Sequence, residues 1–170
     1  MSKLLAFGAS SSKNSKNKKL ASYVAKRMAP KEAIIVDLNE FEMPIYSEDR
    51  EEEAGIPEKA YEFKKLVNES IGIIISLAEH NGSYTSAFKN IYDWISVIEK
   101  TVWSNKPLIL LSTSDGQNAG NTVLQTALSR FSRQSTIEIP HFALPKFNEN
   151  FSDTDGITDK KLSEDLDNQI

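Results

Sequence analysis

Apolar positions along the chain alternate between two patterns, short β-branched runs and longer stretches with a helical repeat. Residues 4–8, 33–38, 71–77 and 107–112 are runs of the first kind, which form strands buried on both faces. Residues 136–139 read as a short fifth strand. Between the runs the period lengthens. Leu20, Tyr23, Val24 and Met28 mark one face of a first helix, closed from beyond its end by Pro30. Ala60, Phe63, Leu66 and Val67 line a second helix that opens at Pro57. Phe88, Ile91, Tyr92, Ile95 and Ile98 line a third, running through Trp94 towards Lys100. Val123, Leu124, Ala127, Leu128 and Phe131 line a fourth, and residues 158–168 suit a short last helix. Residues 39–56, with Pro44 and the acidic run from Glu48 to Glu53, read as a solvated irregular loop. Residues 141–155 read as loop too. Alternating strand and helix calls for an α/β fold, a parallel sheet with helices on both faces and right-handed crossovers. No internal repeat or linker divides residues 1–170, so one domain is expected.

Composition narrows the function classes. A net charge of −4 argues against nucleic acid, whose phosphates want a basic surface. The chain has no cysteine, which excludes disulfides, thiolate catalysis and thiolate metal sites. The opening apolar run is too short for a signal peptide, and no stretch approaches the roughly 20 apolar residues of a membrane helix. A cytoplasmic protein without membrane partners is the expectation.

Chemistry concentrates in three loops that follow strands one, three and four. The first runs from Gly8 to Asn17 and holds Ser10, Ser11, Ser12, Lys13, Asn14, Ser15 and Lys16. Such donors before a helix start suit either a phosphate or an ordinary helix cap. The second is Ala78-Glu79-His80-Asn81-Gly82-Ser83-Tyr84, and the third runs from Ser112 through Ser114, Asp115 and Gly116 to Gly120. In a doubly wound sheet all three emerge at one edge, where backbone amides and short polar side chains favour an anionic or heteroaromatic ligand over a metal. Neither a P-loop nor the three-glycine dinucleotide fingerprint is present, although Asp37 ends the second strand where that fingerprint places a ribose-binding acid.

The first loop resembles the Gly-Ser-x-Arg-x-x-Ser-x-Asn phosphate loop of the NAD(P)H-dependent FMN reductase family, which includes azo, quinone and chromate reductases. Ser10, Ser15 and Asn17 match it, followed by Leu20-Ala21. The second loop is similar to the family's Pro-Glu-Tyr-Asn-Gly-Ser segment, with Glu79, Asn81, Gly82 and Ser83 matching, and then Lys89-Asn90 and Asp93-Trp94. The third is similar to its small-residue loop. Together the likeness runs from about residue 4 to 131. Departures are Ala9 for the first glycine, Ser12 for the phosphate-binding arginine, Ala78 for proline and His80 for tyrosine. Losing the arginine removes a bidentate charged contact and predicts weaker phosphate binding.

The resemblance implies a flavodoxin-like sheet of order 2-1-3-4-5 that binds FMN. It further implies hydride transfer from NADPH or NADH to the flavin, then reduction of a quinone, azo compound, metal oxyanion or free flavin. The flavin carries the chemistry, so no catalytic side chain is expected. Ser10, Ser12, Ser15 and Asn17 are expected on the phosphate. Ala78, Glu79, His80, Asn81 and Gly82 are expected along the ring, and Ser112, Ser114, Asp115 and Gly116 at its pyrimidine end. Trp94 and Trp103 suit the core or a subunit interface, and the Lys89-Asn90-Asp93 group suits a solvated helix face or, by the resemblance, a family interface, which implies a homodimer or homotetramer. His141 has no comparable neighbour and reads as structural or solvated. Two alternatives remain at this stage: an electron carrier of the flavodoxin type without NAD(P)H activity, and a flavin-free binding or regulatory protein.

Overall fold

The computed structural model describes residues 3–170; Met1 and Ser2, which open the short apolar start, lie outside the described residues. Five strands form one parallel sheet: β1 (Lys3–Ala9), β2 (Ala33–Val36), β3 (Ser70–Leu77), β4 (Leu108–Thr113) and β5 (His141–Leu144). Their order is β2-β1-β3-β4-β5, the flavodoxin-like arrangement the sequence implied.

Side chains alternate across the sheet and build two cores. Leu5, Phe7, Ile73, Ile75 and Leu110 point to one face, covered by α3 (Glu58–Glu69), α4 (Ser86–Ile98) and α5 (Asn121–Phe131). Leu4, Ala6, Ile74 and Leu111 point to the other, covered by α1 (Lys16–Met28) and α7 (Lys160–Asp167). Trp94 and Trp103 are buried in the first core, with Trp103 stacked on Phe88.

Two expectations fail. The fifth strand lies at His141–Leu144, not at 136–139. Thr136, Ile137 and Glu138 are exposed, and the carbonyl of Pro140 accepts from Leu110 N to start the pairing. Phe142 and Leu144 then drop into the second core, a signal only two residues long and cut off by Pro145. The acidic run is likewise no loop. It forms α2 (Glu48–Ala54), capped by the Ser47 side chain, which accepts from Arg50 N, and ended at Gly55 with φ 74°. Acidic residues in its first turn complement the helix dipole, and a helix burying nothing leaves no apolar period to read. A 3-10 turn, Leu38–Phe41, precedes it, and a two-strand hairpin, β6 (Phe151–Ser152) and β7 (Gly156–Ile157), follows the four-residue α6 (Phe147–Asn150).

Candidate functional site

Register places the three loops together. Ala9 pairs with Leu77, and Leu77 with Ser112, so the chain leaves β1, β3 and β4 side by side. In open α/β sheets that edge is where ligands bind.

At the start of the first loop a Cβ on Gly8 would lie 2.2 Å from the backbone nitrogen of Lys18, so only glycine lets α1 cross this close to β1. Ser10 Oγ accepts from Ser12 N at 3.1 Å, and Ser15 Oγ accepts from Lys18 N at 3.1 Å, capping α1. Each oxygen is occupied as an acceptor, while its proton stays available to a ligand. The amides of Ser11, Lys13, Asn14, Lys16 and Asn17 have no partner among the described residues. The last two belong to the first turn of α1, where the helix dipole favours an anion.

Asn17 departs from expectation. Its side chain is buried; Oδ1 accepts from Ser76 Oγ (2.7 Å) and Thr113 N (3.1 Å), and Nδ2 donates to Thr113 O (3.1 Å). An amide buried this deeply must be satisfied internally. Asn17 therefore braces α1 against the ends of β3 and β4 rather than reaching outward. The loop's charges are also redistributed. Lys16 pairs with Asp115 of the third loop, whereas exposed Lys13 has no acidic partner among the described residues. Lys18 pairs with Asp37 at 2.5 Å, and this ammonium holds the Asp37 carboxyl below the usual range despite partial burial. Asp37 also accepts from Asn39 N, capping the 3-10 turn.

In the second loop His80 and Ser83 exchange both backbone hydrogen bonds, at 3.0 and 3.1 Å. Asn81 has φ 51° and Gly82 φ 76°, so the pair forms a type I′ hairpin turn. Nothing lies within 4 Å of a Cβ built on Gly82, and residues 80–82 are exposed. Glycine there serves the backbone conformation and leaves open space in front of the turn. Glu79 corrects the sequence reading, because its Oε2 accepts from Val123 N at 2.9 Å. Gly120 caps α5 without a side chain, so this carboxylate satisfies an amide of the helix start instead of lining the edge.

In the third loop Ser112 is fully buried, and its Oγ has no partner among the described residues. Ser114 Oγ accepts from Gly116 N, and the carbonyls of Ser114 and Gly116 accept from Phe147 N and Lys146 N. Gly116 has room for a Cβ. The glycine this edge needs is Gly120, with φ 73°, where a Cβ would meet that of Ser112 at 3.3 Å and that of Glu79 at 3.7 Å.

Sequence reasoning missed Gly120 and also Ser76, Thr113 and Thr85. Thr85 is buried, donates from Oγ1 to Ala9 O at 2.9 Å, and accepts from Phe88 N. It ties the first loop to the second while capping α4; a threonine just before a helical period is the signal that marks it. Asn90 and Trp94 turn inward to hold residues 43–46, through Tyr46 N to Asn90 Oδ1 (2.9 Å) and Trp94 Nε1 to Pro44 O (2.7 Å). Lys89 and Asp93 form a surface pair one helical turn apart. His141 sits at the start of β5, with Nδ1 3.3 Å from Ile139 O, away from the three loops.

A 2-hydroxy-1,4-benzoquinone reductase from Burkholderia sp is 32% identical over 117 residues, 68% of this chain and 62% of that protein. A quinone reductase of Escherichia coli K12 is 27% identical over 79 residues, 46% of this chain and 42% of that one. The chain thus spans less than two thirds of the length of these relatives. Among solved structures, the flavoenzyme NAD(P)H:(acceptor) oxidoreductase FerB from Paracoccus denitrificans superposes with a TM-score of 0.73 at 21% identity, covering 99% of this chain and 92% of that one. An azoreductase from Bacillus anthracis str. Sterne gives 0.63 at 14% identity, covering 99% and 97%. Among the described residues, no helix is long and apolar enough to cross a membrane. The family model for NADPH-dependent FMN reductases matches residues 2–149 along the strands and loops just described, and the chain belongs to that family.

Proposed function

We propose that residues 1–170 form one FMN-binding domain acting as an NAD(P)H-dependent oxidoreductase. The observation that carries this reading is the unspent hydrogen-bonding capacity where the three strands end. Ser112 Oγ is a buried orphan, and the Ser10 and Ser15 hydroxyl protons are free. These features fit a flavin mononucleotide. Ser10, Ser12 and Ser15, with the amides of the first loop, would hold its phosphate. Ala78, His80, Asn81 and Gly82 would follow the ring, and Ser112, Ser114, Asp115 and Gly116 its pyrimidine end. Asn17 and Glu79 position these loops from behind.

Bound FMN supplies hydride acceptance from a reduced nicotinamide and onward reduction of the acceptor. The protein's part is to bind, orient and present donors where negative charge develops. A quinone suits the acceptor role, as the names of two relatives support; azo compounds, metal oxyanions and free flavin fall in the same class. The family likeness supports a homodimer or homotetramer with small-molecule partners, and the nicotinamide co-substrate supports a cytoplasmic site of action.

The test is the absorbance spectrum of the purified protein with added FMN, followed by NADPH and NADH oxidation with a benzoquinone. Flavin uptake with quinone-dependent oxidation is expected. Uptake without oxidation favours the electron-carrier reading, and no uptake the flavin-free one, which Ser12 in the arginine's place supports. Sedimentation giving a monomeric mass at micromolar concentration would remove the dimer.

A further inference from the structure

A groove of about 590 Å³ lies beside the three-loop edge, along the outer face of α1. It begins at Lys13, Asn14 and Ser15 and runs down the helix past Ser22 to Lys26 and Arg27. The rise from Ser15 to Arg27 is about 18 Å, enough for an adenosine mononucleotide with room at each end. The β6–β7 hairpin forms the opposite wall. A Cβ on Gly156 would fall 2.0 Å from the Tyr23 ring, and Phe151 packs edge-on to that ring at 5.7 Å, so this wall is aromatic and fixed.

Its charge is out of keeping with the rest of the molecule. Residues 1–31 hold eight lysines and arginines and no acidic residue, although the chain is net acidic. Lys18, Lys19 and Arg27 are matched by Asp37, Asp153 and Asp167. Lys13 and Lys26, near the two ends of the groove, have no acidic partner among the described residues. Asp155 on the hairpin accepts from the hydroxyls of Ser152 and Thr154, the kind of carboxylate that also accepts from a ribose. Cations near both ends, an aromatic wall and a carboxylate on the facing hairpin match a nucleotide's phosphate, base and sugar.

We propose that this groove is an adenylate subsite, taking the adenosine phosphate end of a dinucleotide whose other end lies at the three-loop edge. The second half of that statement rests on the flavin reading above. Three dinucleotides present such an end: FAD, whose adenylate joins the flavin phosphate, NADH, and NADPH, whose adenosine carries a further 2′-phosphate.

Calorimetric titration of 5′-AMP and 2′,5′-ADP into the full-length protein, with and without FMN and at low salt, tests it. Saturable binding is expected. Lys26→Glu should weaken it about tenfold, and Ser22→Trp, which fills the groove, should abolish it; FMN affinity measured by fluorescence should change by less than about twofold in either variant. Tighter binding of 2′,5′-ADP than of 5′-AMP assigns the groove to NADPH. Equal or tighter binding of 5′-AMP assigns the groove to FAD where FAD binds tighter than FMN, and to NADH where it does not. Adenylate binding without any FMN uptake would sustain the groove and sink the flavin reading. Absence of adenylate binding up to millimolar concentration, or binding unchanged in both variants, overturns the subsite.

Discussion

The lysine cluster at one edge of the sheet and the loop cluster at the other treat polar groups differently, although Trp103 Nε1 beside the first is also buried without a partner among the described residues. At the amino edge, Lys64 is 3% exposed, and its ammonium donates to Val102 O (2.7 Å), Ser104 Oγ (2.8 Å) and Thr101 O (3.3 Å). It also pairs with Glu99 at 2.8 Å, and this contact holds the Glu99 carboxyl below its usual range. Ser104 Oγ in turn donates to Asn68 Oδ1 at 2.6 Å. Three ammonium protons meet more than enough acceptors, so the cluster closes on itself and clamps residues 99–104 to α3. At the carboxyl edge the same inventory leaves remainders: the Ser112 hydroxyl, loop amides, and two serine protons. A closed network stabilises the fold, whereas an open one at the end of a parallel sheet has capacity for a ligand.

Breaking the closed edge should have the largest effect on stability and none on binding. Lys64→Ala deprives four oxygens, on Glu99, Thr101, Val102 and Ser104, of their cationic partner, and a cost of about 3 kcal/mol is expected in urea denaturation. FMN affinity of the folded variant should stay at the parent value. A stability loss with a matching loss of flavin would mean the two edges are coupled.

Asn17→Ala acts on the open edge through its bracing residue. It leaves the Ser76 hydroxyl and the Thr113 amide unpaired, at a cost of about 2 kcal/mol. Unlike Lys64→Ala, it should also weaken FMN, because it frees the start of α1 from β4. Titration of FMN against both variants separates the cases; an unchanged flavin affinity in Asn17→Ala would make the brace purely structural.

A third change adds charge to the open edge. Ser12 is exposed in the first loop, and lysine at position 13 cannot supply a planar fork. Ser12→Arg should tighten FMN on the order of tenfold, since a charged hydrogen bond contributes about 1.5–3 kcal/mol. Riboflavin, without the phosphate, should gain nothing. Equal gains for both ligands would remove the phosphate from this loop.

How much of this was legible in the sequence follows the same division. The parallel sheet and the loop positions could be read because runs such as Ile73–Ile75 are buried on both faces and the loops between are rich in small polar residues, whereas the strand order came from the family resemblance. The Asn81-Gly82 turn could be read because a type I′ turn requires positive φ at both positions. Lys64 could not. It shares an inner helix face with Phe63 and Val67, and only the tertiary position of residues 99–104 makes a lysine acceptable there. Asn17 and Glu79 were placed at the right edge, but their side chains point into the protein, a direction set by partners at Thr113 and Val123 far along the chain. β5 escaped because a four-residue strand between two prolines carries too few positions to show a period.

The smallest effect at neutral pH belongs to Tyr84, which follows the hairpin turn and packs edge-on against Phe88 at 5.3 Å. Its hydroxyl is buried with no partner among the described residues. Burial, reinforced by neighbouring Tyr92 and opposed by Arg130, pushes it up to about 12 from 10.0. An orphaned hydroxyl contributes desolvation cost without a bond, so Tyr84→Phe should stabilise the protein by about 1 kcal/mol at pH 7. The alkaline limb has a definite sign. Because the folded value lies above the unfolded one, the protonated phenol favours folding; that contribution is complete below pH 10 and is lost as pH rises towards 12. The parent's unfolding free energy should therefore fall faster than that of Tyr84→Phe across this window, by roughly 1 kcal/mol per pH unit. Urea denaturation of both proteins at pH 7, 10 and 11 checks this. Parallel curves would show that the hydroxyl is hydrated rather than desolvated in the folded protein, and a loss of FMN in the phenylalanine variant would show that it contacts the ligand.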